Sequence, residues 1–523
     1  MTAKSRNMRR KGPKIYATYQ KSPCFSRIGV SGPMILPREV LMRYHSTRST
    51  TETVSGARAV LKGLAFDGGL YMPQSLPAFD WQDCLKGSTR DMAEKILSAF
   101  LGDIPNMPEL VDRAYTGKFS HPDLTPTVPV GKFGVLELFH GPTSAFKDVA
   151  LSMLPQLLTA AREAEGQQEE ILILTATSGD TGKAALVGFQ DVPGISICVF
   201  YPDGGVSPVQ KAQMTTQEGS NVAVCAVKGN FDDAQTGVKQ IFSARRSVPA
   251  GELSSANSIN IGRLVPQITY YFRAYRDLLD RGTIVLGDEV NFSVPTGNFG
   301  DILAGYLAKL LGLPVGKLIC ASNANNVLTD FLRTGTYDRL RPLHKTISPS
   351  MDILVSSNLE RLLYLLTMDT AYVAELMEAL SKEGRYTVTE ELLAALQKHF
   401  WAGCCDDEGA KATIGKVWAE NRYLCDPHTA TGWAVAEDYV NQTGDNRPMV
   451  VLSTASPYKF PAPVLTAIGG DLSGDEFDQM NRLEAITGVK MPENLRGLKE
   501  KAVLHETVIE KTAMPAYVES LKF

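Results

Sequence analysis

Between residues 131 and 335 short apolar runs alternate with amphipathic stretches, and this alternation limits the possible folds more than any other feature of the chain. "VLELF" precedes a helical stretch from Phe146 to Glu163 that contains Pro155, and "ILILTATSG" precedes "TGKAALVGFQ". "ISICVFYP", "NVAVCAVKG", "VNFSVPTG" and "LICASN" each run into a similar helical segment. Strands that are apolar at nearly every position must be covered on both faces, and the intervening helices supply the covers. The pattern therefore predicts an open α/β architecture with mostly parallel sheets. Pro155 lacks an N–H and predicts a kink. Residues 352–450 read as mainly helical, and no element is legible after about residue 465.

At 523 residues the chain accommodates two or three domains. A net charge of −4 argues against a general nucleic-acid binder, and no apolar run reaches the roughly 18–20 residues of a membrane span. The eight cysteines form no C-x-x-C pair and several sit in apolar runs, which is the usage of buried thiols in a reducing compartment such as the cytoplasm; no metal site is expected. Residues 1–41 are basic and hold a single acid, Glu39. That composition fits an organelle transit segment. A disordered tail, or a start codon placed upstream of Met42, fits better, because Pro and Gly interrupt any amphipathic helix.

Ligands of open parallel sheets bind beyond the carboxyl ends of the strands, so the strand-to-helix loops carry the functional information. In "PTGNFGD", Gly297 and Gly300 flank Asn298 and Phe299, and Asp301 opens an apolar helix. Converging backbone N–H groups at a helix start make an anion cradle. "TSGDTGK" (residues 177–183) is a second such turn, with Asp180 or Thr181 as its expected N-cap. It is not a nucleotide P-loop: the motif needs glycine at 177 and a hydroxyl at 184, where the chain has Thr177 and Ala184. What remains is a loop able to hold a small polar substrate, or an ordinary capped turn.

"FHGPTSAFKD" places Lys147 at a strand-to-helix junction behind a Gly-Pro turn. A lysine in such a pocket, paired with a separate phosphate cradle, is the combination pyridoxal phosphate requires: an amine to bond the aldehyde and an anion site for the phosphate. Desolvation and a helix N-terminus would favour the neutral amine. "STASPYKF" follows the strand "PMVVL", and its hydroxyls could face the pyridine nitrogen or simply close a turn.

From Met42 onward the chain resembles the threonine synthase family, in the branch shared by many bacteria and fungi. The resemblance rests on "MRYHSTRS", "GLAFDGGLYMP", "HGPTSAFKD", "SGDTG", "SINIGRLVPQITYY", "PTGNFGD", "DILVSSNLERLL" and "DPHTA", in order. It implies a pyridoxal-phosphate enzyme of fold type II, the tryptophan-synthase-β scaffold. It further implies an N-terminal domain over 42–130, a large cofactor-binding domain over 131–150 and 285–523 with a helical insertion at about 360–445, and a smaller α/β domain over 151–284 that closes on substrate. By position, Lys147 corresponds to the Schiff-base lysine, Gly297, Asn298, Phe299, Gly300 and Asp301 to the phosphate loop, and Thr454 (with Ser453 as fallback) to the hydroxyl against the ring nitrogen. Ser178, Gly179, Asp180, Thr181 and Gly182 fall in the loop that touches substrate carboxylate or the cofactor, and Ser255, Asn257, Asn260 and Arg263 look like substrate contacts. His428 is read as a packing residue. Ser456 stands where relatives often have histidine.

The implied reaction converts O-phospho-L-homoserine and water into L-threonine and phosphate, with Lys147 as the base at Cα. The implied assembly is a monomer or homodimer. A related phospho-lyase that releases a 2-oxo acid and ammonia is the nearer alternative, and a non-catalytic amino-acid-binding or interaction protein on the same scaffold the more distant one.

Overall fold

A computed structural model of the chain describes residues 42–243 and 252–523; the expectations for residues 1–41 lie outside the described residues. Two mainly parallel sheets organise it. The larger has six strands in the order Phe400–Cys404, Val315–Ser322, Val290–Pro295, Met449–Ser453, Phe133–Glu137 and Thr127–Val130. Only its last pair is antiparallel. The second sheet has five parallel strands in the order Val508–Glu510, Val222–Lys228, Ile195–Pro202, Ile171–Ala176 and Glu252–Ser254. Ile171–Ala176, Ile195–Pro202 and Val290–Pro295 are buried at every residue, in keeping with their mainly apolar sequences. A three-stranded antiparallel sheet, Ser49–Ser55, Arg43–Ser46 and Tyr71–Pro73, precedes both.

The expected helices follow their strands, including Lys147–Ala164, Asp180–Phe189, Pro208–Thr215 and Gly300–Leu310. Pro155 lies inside the first of these. Having no N–H, it leaves the Leu151 carbonyl without its usual helical donor. Gly188 of the neighbouring helix approaches at that carbonyl: a Cβ there would lie 2.2 Å from Leu151 O. The proline and the glycine thus form one close helix contact.

Three strands depart from the expected domain organisation. Thr127–Val130 pairs with Phe133–Glu137 and so belongs to the large sheet, not to the N-terminal segment. Phe400–Cys404 is a strand at the edge of that sheet, within the stretch read as a helical insertion. Its parallel register against Val315–Ser322 satisfies backbone groups that a helix would have satisfied internally. Finally, Val508–Glu510 leaves the large body and completes the five-stranded sheet beside Val222–Lys228, and the helix Met514–Ser520 buries Met514 and Val518 against Phe231–Ser243.

Five of the seven described cysteines are buried as expected, but Cys404 is exposed and Cys405 half-buried. No described helix is long and apolar enough to cross a membrane.

Candidate active site

The strand-to-helix loops of both sheets meet at one cleft of about 560 Å³. Lys147, Ser178, Thr181, Ser255, Asn257, Arg263, Gly297, Asn298, Gly300, Asp301 and Thr454 all line it.

Lys147 is the first residue of its helix, and the turn before it is held against the loop after Met449–Ser453 by backbone bonds. Phe146 N–H donates to Thr454 O (2.8 Å) and Ser456 N–H to Ser144 O (3.1 Å), which brings the lysine and Thr454 to one wall. Its Nζ lies 3.4 Å from Ser350 Oγ, 3.8 Å from Asp180 Oδ2 and 4.4 Å from the centre of the Phe146 ring. Burial pushes the ammonium below its ordinary range; the nearby Asp180 opposes this, while Lys459 and Arg263 add to it.

The loop at 297–301 forms a cradle whose orientation can be traced bond by bond. Ser356 Oγ donates to Gly297 O (2.8 Å), and Asn358 donates to Asn298 O through both its backbone N–H and its Nδ2 (3.0 Å each). In a planar trans peptide the N–H points opposite the carbonyl. Tying these two carbonyls to residues 356–358 therefore turns the N–H groups of Asn298 and Phe299 the other way. Among the described residues, the N–H groups of Gly297, Asn298, Phe299 and Gly300 have no protein acceptor. Four open amides at the start of a helix suit a phosphate. Phe299 departs from expectation in one respect: its side chain is fully buried against Phe400 and does not line the cleft. It anchors the turn, with a left-handed φ of 64°, and offers only its backbone. Asp301 presents a carboxyl that burial pushes up to about 6, against the Ile302 N–H and Lys147, which both pull it down.

The second glycine loop differs. Thr177 Oγ1 accepts from the N–H groups of Gly179 (2.9 Å) and Gly182 (2.8 Å), so these amides are satisfied within the loop. Gly179, not Asp180 or Thr181, is the N-cap. A Cβ at Gly179 would lie 2.4 Å from the Gln210 side chain, so glycine is required for that close approach. Asp180 does not line the cleft as a substrate contact: it is buried and ion-paired with Lys459 (2.6 Å). Of the loop residues expected to touch a ligand, Ser178 and Thr181 line the cleft, and Gly179, Asp180 and Gly182 do not.

Two more expectations are corrected. Asn260 is fully buried; its Oδ1 caps Gly262 N–H (2.9 Å) and its Nδ2 donates to Val60 O (2.9 Å), so it staples the N-terminal segment and does not contact the cleft. Ser453 Oγ turns to Thr429 Oγ1 (3.0 Å), which leaves Thr454 as the cleft hydroxyl. Arg263 lies in the cleft wall, with Nη1 on Ala256 O (2.5 Å) and its pKa pushed down to about 10 by burial. Its Nε and Asn257 Oδ1 are buried without a hydrogen-bond partner among the described residues. Ser456 is buried and caps Tyr458 N–H (3.4 Å), so its hydroxyl serves the turn.

Sequence reasoning missed Ser350 and Ser356, both in the cleft wall. It read His428 as packing, and the histidine is buried with Asp426 Oδ1 on its Nδ1 (2.7 Å). Its Nε2 accepts from Ser350 N–H (3.2 Å), however, so it fixes the residue next to Lys147 Nζ and itself borders the cleft. The Asp-x-His spacing was the available signal.

The donors present fit pyridoxal phosphate: a desolvated amine, open amides and a hydroxyl border one cleft. Comparison with known proteins agrees. Residues 43–115 match the family model "Threonine synthase N terminus", 121–455 match "Pyridoxal-phosphate dependent enzyme" and 429–515 match "Threonine synthase, C-terminal". The chain is 38% identical over 479 residues to threonine synthase from Eremothecium gossypii, covering 84% of this chain and 93% of that one. It is 39% identical to human threonine synthase-like 1 over 79% of this chain, but spans 58% of that protein. The crystal structure of pyridoxal-phosphate-bound threonine synthase from Brucella melitensis superposes with a TM-score of 0.80 at 39% identity, covering 91% of this chain and 99% of that one. The chain therefore belongs to the threonine synthase family of pyridoxal-phosphate-dependent enzymes.

Proposed function

We propose that this enzyme converts O-phospho-L-homoserine and water into L-threonine and phosphate, and that Lys147 and the 297–301 loop hold the two ends of its cofactor. The observation that carries this reading is the shared cleft, in which a buried lysine, Ser178, Thr181, Arg263 and four open amides surround one space. Pyridoxal phosphate, when bound, supplies an electron sink for the pair left at the substrate Cα. Lys147, favoured as the neutral amine by burial, removes the proton at Cα and returns it later. Arg263 offers a planar fork to the substrate phosphate or carboxylate, and Ser178, Thr181, Ser255 and Asn257 complete the polar wall. Thr454, in the cleft wall, would offer the cofactor's ring nitrogen a hydroxyl, a weaker proton anchor than a carboxylate. His428, through Ser350, steadies the lysine.

The synthase reading is supported by the name of a relative that the chain spans almost entirely, the Eremothecium gossypii threonine synthase, of which 93% is covered. Five of the seven described cysteines are buried like small apolar side chains, a usage that suits a reducing compartment such as the cytoplasm. The proposed assembly is a monomer or homodimer.

The decisive test combines three measurements on purified protein. Borohydride is expected to fix the cofactor on the Lys147 peptide. Phosphate release from O-phosphohomoserine is expected to be matched by threonine, not 2-oxobutyrate. Lys147→Ala is expected to abolish both the fixation and turnover; a variant that still turned over would sink the assignment.

A further inference from the structure

Asp180 sits between two buried lysines. Its Oδ1 lies 2.6 Å from Lys459 Nζ and accepts from Gln210 Nε2 at 2.9 Å, while Oδ2 faces Lys147 Nζ at 3.8 Å. All three charged side chains are buried, with Lys459 wholly out of solvent. The carboxylate is held by construction. It opens the helix Asp180–Phe189, and the absent Cβ of Gly179 lets the Gln210 amide reach it. Lys459 is fixed in turn by donating to Thr143 O (3.1 Å), in the turn that leads to Lys147. One acid, at the start of the helix after Ile171–Ala176, thus faces both the cofactor lysine and Lys459, which is itself tied to the turn before that lysine.

We propose that Asp180 is a positioning residue shared between Lys459 and Lys147, and that the division of its charge between them sets how readily the Lys147 amine becomes neutral. The proposal rests on the reading of Lys147 as the cofactor lysine. Two buried cations close together repel, and each depends on the carboxylate between them. The charged groups facing Lys147 are Asp180, Lys459, Arg263 and Asp301, each from a different element; Ser350, held by His428, is its neutral neighbour. Among these, only Asp180 makes contact with a second lysine. Burial alone would raise the Asp180 carboxyl, but Lys459 and Lys147 together bring it below the usual carboxylate range, so it is ionised at neutral pH.

Sharing has a signature that simple structural support lacks: removing the two partners shifts Lys147 in opposite directions. In Asp180→Asn the anion is gone and Lys459 still repels, so Lys147 loses its proton at lower pH. In Lys459→Met the full carboxylate turns to Lys147, which holds its proton to higher pH. The double variant, with both charges removed and no uncompensated ion left, returns towards wild type. The experiment is acetylation of the full-length protein, freed of cofactor, by acetic anhydride across a pH series, with Lys147 followed by peptide mass spectrometry. Below the midpoint a shift of one pH unit changes the rate about tenfold, so we expect a rate at fixed pH about three- to tenfold higher in Asp180→Asn and lower by a similar factor in Lys459→Met.

The holoenzyme gives a second readout, since the pH midpoint of the lysine-bound cofactor's visible band should move in the same two directions. Shifts of the same sign in both single variants, or no shift in either, would overturn the proposal. If a single variant fails to fold, a double variant whose midpoint equals that of a folded single variant would overturn it as well. Acetylation needs no cofactor, so opposite shifts in a protein that binds no pyridoxal phosphate would defeat the cofactor reading while sustaining this one.

Discussion

Two glycine-bearing turns, residues 177–182 and 297–301, look alike in the sequence and end up doing opposite things with their backbones. In the first, one threonine hydroxyl takes up two amides from inside the turn, and the only acid is buried between Lys459 and Lys147. In the second, the donors come from outside: Ser356 and Asn358 capture the carbonyls, and the amides are left open. Glycine content licenses either outcome. Which one occurs depends on whether the nearest hydroxyl donates to the turn's carbonyls or accepts from its N–H groups. A closed turn is a rigid mount for side chains, and an open one is a binding surface in its own right.

This contrast is vulnerable at three points. The largest effect is expected from Thr177→Val, which strands two buried N–H groups. At about 1–3 kcal/mol for each unsatisfied group, urea unfolding should show a loss of about 2–6 kcal/mol, with little change in cofactor Kd for the protein that remains folded. A large loss of cofactor affinity at unchanged stability would mean that this turn, too, binds through its backbone.

Next comes Asp301, the acid beside the open amides. Its carboxyl is raised by burial to about 6 from an ordinary value near 3.8, so the folded state binds its proton more tightly than the unfolded chain does. The fold should therefore lose stability as pH rises between these two values, by about 3 kcal/mol in total at 1.36 kcal/mol per pKa unit, and no more from this group above pH 6. Comparing urea midpoints of wild type and Asp301→Asn from pH 4 to 8 checks this. The variant should gain on wild type as pH rises, and parallel curves would refute it.

The smallest effect belongs to Ser356→Ala. Freeing the Gly297 carbonyl removes one hydrogen bond, worth about 1 kcal/mol, which converts to about a fivefold weaker cofactor Kd in a fluorescence titration. Thermal stability of the cofactor-free protein should move by no more than a few degrees. If stability fell and affinity held, the outside donors would be packing devices and the contrast would fail.

Much of this molecule was legible before any coordinates. The central strands declare themselves because burial on both faces leaves little room for polar residues, as in "ISICVFYP" and "ILILTA". Lys147 and the 297–301 loop followed from the chemistry a phosphate and an aldehyde demand, and Thr454 from the resemblance to the threonine synthase family. The failures share one cause: they depend on partners distant in the chain. Nothing in "SGDTG" says that Asp180 faces a lysine 279 positions later, since 459 − 180 = 279. Ser356 is unremarkable until its oxygen is seen against Gly297. Val508–Glu510 is three residues long, with two of them exposed, and carries no strand pattern of its own.

That short strand bears on how the protein is made. Lys228 and Glu510, paired across the edge of the five-stranded sheet, are separated by 282 positions. During synthesis from the N-terminus, Val222–Lys228 emerges long before the segment that will shield it. Until then the nascent chain carries a bare sheet margin and an uncovered apolar patch around Ala234, Val238 and Ile241. Interrupting translation near residue 500 would release a polypeptide holding every group of the cleft yet inclined to stick to its neighbours, and chaperone demand should peak in that final interval.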